Sequence, residues 1–359
     1  MEAYKPKLLP LNKEDLNPLV YMDSLVNAVR SLAVYRVKLN SSKLNINCFL
    51  PTLQQKEALA SAKLEGTQVT LNGVLEDQIN PRGKDKDLIE VRNYFMAALE
   101  GYEHLRGNPL SKELIKSLHR TLLSGRVRRN KLTIPGEFRD TQNYIGSPNN
   151  LIYVPPTPED IDGLITNFIE YFNETEDETW PLVRAAIMHA QFETIHPFMD
   201  GNGRVGRILI PLYLYKHKQV TLPYFFISEA LERNKFLYYK LLNGTRENND
   251  WSSWIDYFLQ TVHTQCEKYI ETVDRINELY EGDLEKAKSL ISSNKVVDLI
   301  NLLYTYPIIN SSTVVQRLDI AAATVTRYLN LLVENNILTV DNKQRNRTYY
   351  YYNLLNIIE

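Results

Sequence analysis

The sequence predicts a mainly α-helical protein with one β-hairpin near its middle and a separate C-terminal unit of short helices and strands. Three observations predict this architecture: long segments with apolar residues at helical spacing, a Gly-, Pro- and Asn-marked β-prone stretch over residues 134–156, and a β-prone tail after two short helical patterns. At about 100–200 residues per domain, 359 residues indicate two or three domains.

Residues 1–105 predict an N-terminal helical region. Its helices are expected at 14–40, 53–65 and 87–105, and Asn45 to Pro51 mark a connection between the first two.

Residues 106–262 predict a helical core that carries the hairpin. The pattern favours helices at 111–124, from Thr157 onward, at 235–242 and at 252–259. Trp180 to Ile195 is almost uncharged, so this segment predicts a buried helix.

Residues 263–290 predict an amphipathic helical connector, which we expect Gly282 to interrupt. Its apolar residues recur at spacings of three or four: Tyr269, Val273, Ile276, Tyr280 and Leu284.

Residues 291–359 predict a third unit. A helix at 296–304 is followed by SSTVVQRLDI, by AAATVTRYLNLLVENNILTV and by the β-prone run RTYYYYNLL. That order predicts a winged helix-turn-helix.

Composition narrows the cellular context. The formal net charge is −2 and there are two cysteines, too few for a disulfide framework. The opening MEAYKPKLLPL lacks the apolar stretch of a signal peptide, and no run is apolar enough for a membrane span. We therefore expect a cytoplasmic protein with no membrane partner.

Residues 196–207 read HPFMDGNGRVGR and concentrate the chemistry of the chain. Because proline disfavours the α conformation in the residue before it, the buried helix should end at His196 and hold the imidazole at a loop. The glycines that follow permit close backbone approach to a ligand, and a new helix from Arg204 offers free N–H groups to an anion. The segment therefore predicts a phosphate-binding site.

The charged residues of this segment extend the same prediction. Arg204 and Arg207 lie three apart, so both reach one polyphosphate, and Asp200 supplies a hard oxygen ligand for Mg²⁺. A neutral His196 beside them favours transfer of a phosphorus-centred group to a hydroxyl whose proton the imidazole removes.

The segment resembles the signature of the Fic family, HPFx[D/E]GNGRxxR, at every fixed position. HAQFETIHPF, PGEFR and the YYKLLN segment extend the resemblance over about residues 50–260. It implies an all-helical fold and transfer of AMP from ATP, with Mg²⁺, to a protein hydroxyl, releasing pyrophosphate. It also implies that the 134–156 hairpin is a flap that holds the target protein by strand addition.

The resemblance assigns roles residue by residue. His196 is the general base, Asp200 holds the metal, and Tyr239 contacts adenine. The nucleotide-binding loop comprises Gly201, Asn202, Gly203, Arg204, Val205, Gly206 and Arg207.

A second motif, Ser61-x-x-x-Glu65-Gly66, resembles the [S/T]xxxE[G/N] inhibitory motif of autoregulated family members. Glu65 falls in the last turn of a predicted helix, where a carboxylate meets the negative end of the dipole and needs a specific partner. The resemblance makes that partner Arg207. Engaged by Glu65, Arg207 is unable to clamp the γ-phosphate, so Glu65 acts as a brake and counts among the nucleotide-site residues.

Other interpretations stay open at this stage. His189, Glu193 and His196 could form a metal site, although their spacing matches no standard zinc motif. The core could sense nucleotide for a DNA-binding regulator, use another donor, or also remove AMP.

The C-terminal unit leaves its partner open as well. It carries a few basic residues suited to DNA phosphates, namely Arg327, Lys343, Arg345 and Arg347. A protein-docking role, or a homodimer, fits the same composition.

Overall fold

The computed structural model describes residues 2–81, 83, 85–125, 127, 130–147, 150–176, 179–223 and 225–359. Within these ranges the prediction of a mainly α protein is confirmed. The helices are α1 (Pro18–Asn40), α2 (Ile46–Leu64), α3 (Leu71–Ile79), α4 (Lys86–Leu105), α5 (Lys112–Leu122), α6 (Pro158–Asn173), α7 (Pro181–Ile195), α8 (Asn202–Lys216), α9 (Ser228–Arg233), α10 (Lys235–Glu247), α11 (Trp251–Leu290), α12 (Val296–Thr305), α13 (Ser311–Leu318), α14 (Ala322–Glu334) and α15 (Tyr352–Ile358). The strands are β1 (Ile145–Ser147), β2 (Asn150–Tyr153), β3 (Ile308–Asn310), β4 (Thr339–Val340) and β5 (Thr348–Tyr350).

The N-terminal helices differ from the prediction at their starts. Helix α1 begins at Pro18, after a single 3₁₀ turn, because Asn17 caps it and proline suits the first helical position. Helix α2 begins at Ile46, so the predicted connection up to Pro51 is wrong. The Asn45 side chain accepts the Asn47 N–H at 3.0 Å and caps the helix. Pro51 lies inside α2 and removes one backbone bond, a cost that burial of neighbouring side chains such as Leu50 and Thr52 outweighs. Helix α3 was not predicted.

Helix α7 is the centre of the molecule. Residues 182–195 are all buried, as predicted, and α1, α6, α8, α10 and α11 contact this helix. The Trp254 indole donates to the Ala186 carbonyl at 2.8 Å and joins α11 to it. A helix surrounded in this way holds its C-terminal residue in a fixed position.

Helix α11 runs without a break for 40 residues, so the predicted interruption at Gly282 is wrong. The cost of a mid-helix glycine is about 1 kcal/mol. Buried side chains on either side, Tyr280 and Ala287, pack the helix against its neighbours and outweigh that cost.

The C-terminal unit contains a three-stranded antiparallel sheet in the order β3-β5-β4. Ile308 and Thr339 both pair with Tyr350 from opposite sides. The predicted β-prone run is a strand only to Tyr350. From Tyr352 the chain is helix α15, because Leu354, Leu355 and Ile358 are buried where α15 packs on α11.

The predicted hairpin is formed by β1 and β2, which pair antiparallel with Ile145 opposite Tyr153 and an irregularity after Ile145. Pro148 and Asn149, which the sequence places at its turn, lie outside the described residues. None of the described helices combines the length and the apolar character needed to cross a membrane.

Candidate active site

His196 ends helix α7 in a left-handed conformation, with φ 49° and ψ 59°. Its Nδ1 lies 3.3 Å from the Glu193 carbonyl oxygen. Because a carbonyl only accepts, Nδ1 carries the proton and Nε2 keeps a free lone pair. Burial lowers the pKa of His196 to about 4, so the imidazole is neutral near pH 7.

The loop after His196 is held closed by Asn202. Its side-chain oxygen accepts the Phe198 N–H at 2.8 Å, and its side-chain nitrogen donates to the Phe198 carbonyl at 2.7 Å. The Phe198 ring is fully buried and stacks on His119 at 3.7 Å between centroids. The Asn202 side chain is therefore engaged within the protein, and its predicted part in nucleotide binding is left to its backbone amide.

Helix α8 begins at Asn202, two residues before the predicted start at Arg204. Its N-cap is Gly201, at φ 81°, and no side chain caps the helix. The amides of the first turn, up to Arg204, are therefore free for an anion. The Val205 N–H donates to the Gly201 carbonyl, and the Val205 side chain is buried. The free amides of this turn therefore end at Arg204.

Asp200 lies at the mouth of this turn with its side chain 32 % exposed. Its carboxylate accepts the Asn130 N–H at 2.9 Å and the Gly201 N–H at 2.6 Å, and Arg204 approaches to 3.6 Å. Mg²⁺ in nucleotide sites takes one or two carboxylates and completes its shell with phosphate and water oxygens. An accessible carboxylate beside an anion site fits that requirement.

Glu65 and Ser61 both bind Arg207. The guanidinium donates to the Glu65 carboxylate at 2.7 Å, to Ser61 Oγ at 2.8 Å and to the Ser61 carbonyl at 3.1 Å. The Arg207 side chain is only 1 % exposed, whereas that of Glu65 is 35 % exposed. The sequence-predicted pair is therefore formed, with the serine of the motif as a second anchor.

The electrostatics agree with this geometry. Burial alone would raise the pKa of Glu65, but the Arg207 guanidinium outweighs it and the pKa lies below the ordinary value. Glu65 likewise raises the pKa of Arg207 against the effect of burial. A cationic Arg207 beside an ionised Glu65 is thus the resting state around neutral pH.

A cavity of about 170 Å³ connects His196 to the hairpin. Tyr239, which is 39 % exposed, lines this cavity. Burial raises the pKa of the Tyr239 hydroxyl to about 12, and the Glu65 carboxylate adds to the increase. His196 and Tyr239 thus line one cavity, and the adenine contact of Tyr239 stays a prediction. The remaining lining residues are Ile145, Ile152, Tyr153, Glu193, Leu242, Asn243 and Arg246.

Three further residues hold this site and were missed from the sequence. Arg139 donates to the His196 carbonyl at 3.0 Å and to that of Pro156. His119 accepts the Gly136 N–H at 2.9 Å, and its Nε2 lies 3.0 Å from the Asp200 carbonyl oxygen.

Arg246 is the third missed residue. It donates to Thr194 Oγ1 at 3.1 Å and lies 4.3 Å over the Tyr153 ring. Thr194 and Tyr153 are distant from Arg246 in sequence, so spacing gives no signal of its position beside His196.

The alternative metal site does not assemble. His189 Nε2 lies 2.9 Å from the Tyr238 hydroxyl, and burial lowers the pKa of His189 to about 3. Burial raises the pKa of Glu193 to about 7. Within the described ranges no three His, Cys, Asp or Glu side chains are grouped as metal ligands would be.

Two family models match this chain. The Fic/DOC family model matches residues 109–214, and the Fic/DOC family N-terminal model matches residues 22–103. Together they cover more than half of the chain. The chain belongs to the Fic/DOC family. The first model contains the whole HPFMDGNGRVGR loop, and the second contains the Glu65 motif.

Curated relatives of this Fic chain are protein adenylyltransferases. A probable protein adenylyltransferase from Aquifex aeolicus is 24 % identical over 69 % of this chain and 79 % of that protein. Protein adenylyltransferase Fic from Drosophila grimshawi is 32 % identical over 44 % of this chain. The chain spans about a third of the length of the fruit-fly protein.

Solved structures share the fold. A Fic family protein from Desulfovibrio desulfuricans superposes with a TM-score of 0.60 at 19 % identity, over 97 % of this chain and 98 % of the other. Fic-1 from C. elegans has a TM-score of 0.52 at 21 % identity, over 70 % of this chain and 73 % of the other. The first overlap extends into the C-terminal unit.

Proposed function

We propose that this Fic chain is an autoinhibited protein adenylyltransferase, a nucleotidyltransferase that moves AMP from ATP to a hydroxyl side chain of a target protein. The observation that carries the proposal is the position of His196. Its unprotonated Nε2 stands at one end of a loop whose other end, the first turn of α8, offers free amides and Arg204 to phosphates. The adenylyltransferase names of the curated relatives support the same activity.

The reaction follows from these groups. The target hydroxyl gives its proton to His196 Nε2 while its oxygen forms a bond to the α-phosphorus. The bond from the α-phosphorus to the bridging oxygen breaks, and pyrophosphate leaves. The α8 amides and Arg204 stabilise the phosphate charge. Asp200 would hold Mg²⁺, which neutralises charge on the phosphates when bound.

The hairpin gives the target a place to bind. Strands β1 and β2 form a two-stranded ribbon whose residues Ile145 and Ile152 line the His196 cavity. An extended target segment that pairs with an edge of this ribbon would present its hydroxyl to His196. The target is thus proposed to add a strand to the hairpin.

The position of the label in ATP tests the proposed activity. With Mg²⁺ and a mixture of candidate target proteins, label from the α-phosphate should enter protein, whereas label from the γ-phosphate should not. Intact mass of the labelled protein should show AMP. Incorporation of label from the γ-phosphate would show that the enzyme transfers a phosphoryl group and not AMP. Loss of a preformed AMP adduct would show that the enzyme also removes AMP.

A second candidate function concerns residues 291–359, which we propose form a winged helix-turn-helix that binds DNA. The favouring observation is a polar cavity of about 430 Å³ where the α13 N-terminus, α14 and the β4–β5 loop converge, with Ser311, Ser312, Thr326 and Arg347 in its lining. This segment holds six Lys and Arg against five Asp and Glu, so binding would depend on local contacts.

Fluorescence anisotropy of a labelled DNA duplex tests the second role. Arg347→Ala should weaken saturable binding and lower its salt dependence by about one ion, whereas Arg275→Ala, on the exposed side of α11, should leave both unchanged. Absence of saturable binding at low salt would favour a protein-docking unit.

A further inference from the structure

The outer face of α1 exposes a continuous row of large apolar side chains. Leu19 is 91 % exposed, Val37 63 % and Val26 59 %. Met22 is exposed between Leu19 and Val26 at 42 %, and Val20 and Val34 are exposed at 46 % and 42 % on the flank of the row. Soluble monomers rarely leave apolar residues contiguous on one surface, so this face is typical of an interaction site.

The row has the spacing of a helix–helix seam. At about 100° per residue, Leu19, Met22, Val26, Ala33 and Val37 fall within about 60° of one another around the helix. The opposite face of α1, which includes Leu25, Leu32 and Tyr35, is buried, mostly against α11. Helix α1 is therefore apolar on two faces, and the described part of the chain covers only one.

We propose that this face, the α1 seam, binds the α1 seam of a second copy of the chain in an antiparallel homodimer. In a two-fold symmetric pair centred at the level of Ala28, Leu19 lies opposite Val37 of the other copy, and the two Val26 side chains lie within about one helical turn of each other. Both members of each contact are exposed in the single chain. The seam is thus complementary to itself over the length of α1, about 34 Å.

Charge on the flank of the seam favours the same register. Asp23 and Arg30 are exposed on the same side of the apolar row, and the described residues give neither an ion-pair partner. In the antiparallel pair, Arg30 of each copy comes within one helical turn of Asp23 of the other. In a parallel pair this flank of one copy lies on the opposite side of the seam from the same flank of the other copy, so Asp23 and Arg30 would not meet. The second copy supplies both the apolar contact and the missing counter-charges.

Sedimentation velocity of the full chain over a concentration series tests this proposal, independently of any enzymatic activity. Wild type should dimerise, and Leu19→Glu should raise the dissociation constant by at least about 100-fold because each new carboxylate would lie against Val37 of the other copy in the apolar seam. Phe236→Glu, which changes an 80 % exposed apolar residue of α10, is the matched control and should leave the constant unchanged.

Charge reversal tests the register. Asp23→Arg should weaken the dimer, and the double variant Asp23→Arg with Arg30→Asp should restore it. Circular dichroism establishes that each variant is folded. A wild-type chain that stays monomeric at about 100 µM would overturn the proposal, and so would a dimer that Leu19→Glu leaves intact. Failure of the double variant to restore a weakened dimer would overturn the antiparallel register.

Discussion

Replacement of Glu65 by glycine is expected to raise the rate of AMP transfer by about 10- to 100-fold, the range of a coupling free energy of about 1–3 kcal/mol. In the resting structure Glu65 holds Arg207 at 2.7 Å. Without the carboxylate, the Arg207 guanidinium becomes available to the terminal phosphates, and ATP adopts the geometry needed for attack. The measurement is the initial rate of α-phosphate incorporation at saturating ATP.

Two variants show whether the gain comes through Arg207. Glu65→Gly with Arg207→Ala should lose the gain, because the released side chain is then missing. Glu103→Gly is the matched control: Glu103 is also an acid in the last turn of a helix paired with an arginine, Arg106, but lies on the surface. Glu103→Gly should leave the rate unchanged. A Glu65→Gly enzyme no faster than wild type would show that the pair does not restrain transfer.

Ser61 explains why the interaction is specific. A carboxylate at the C-terminal end of α2 is locally unfavourable because it meets the negative end of the helix dipole. The structure supplies the compensation, since the buried Ser61 side chain and carbonyl position the Arg207 guanidinium opposite Glu65. A local cost visible in the sequence thus indicated a specific partner, and the family resemblance identified it as Arg207, 142 residues along the chain.

The signature loop was predictable because its geometry is encoded locally. A proline after His196 ends α7, and Gly201 permits the positive φ from which α8 starts. The contacts that hold the loop were not predictable in this way. His119 and Arg139 reach the loop from positions 81 and 57 residues away, and no spacing rule relates such pairs.

Errors in the fold prediction share a physical cause. Gly282 and Pro51 are residues of low helix propensity, yet both lie inside helices. In each case burial of neighbouring side chains contributes more than the local cost. The tail from Tyr352 became a helix for the same reason, because α11 offers it an apolar surface.

Replacement of His196 by alanine is expected to reduce AMP transfer by at least about 100-fold, because the carboxylate of the loop, Asp200, already accepts the Asn130 and Gly201 N–H groups and is assigned to the metal. The rate is measured in the Glu65→Gly background, where activity is highest. Because His196 has a positive φ, His196→Asn is a useful companion: asparagine tolerates the left-handed conformation but does not act as a base at neutral pH. His104→Ala, at the end of α4, is the control and should retain full activity. If the rate in the Glu65→Gly background is the same with histidine and with asparagine at position 196, His196 is not the general base.

The pH dependence of the rate provides a second test of the same residue. The base must be unprotonated, and burial depresses the pKa of His196 from 6.5 to about 4. The active form is therefore fully present above about pH 5 and is lost as the pH falls through 4. The rate in the Glu65→Gly background should show no fall near pH 6.5. A fall centred at 6.5 that disappears in His196→Asn, measured on its residual rate, would show that the imidazole is solvated during the reaction and would contradict the buried neutral base.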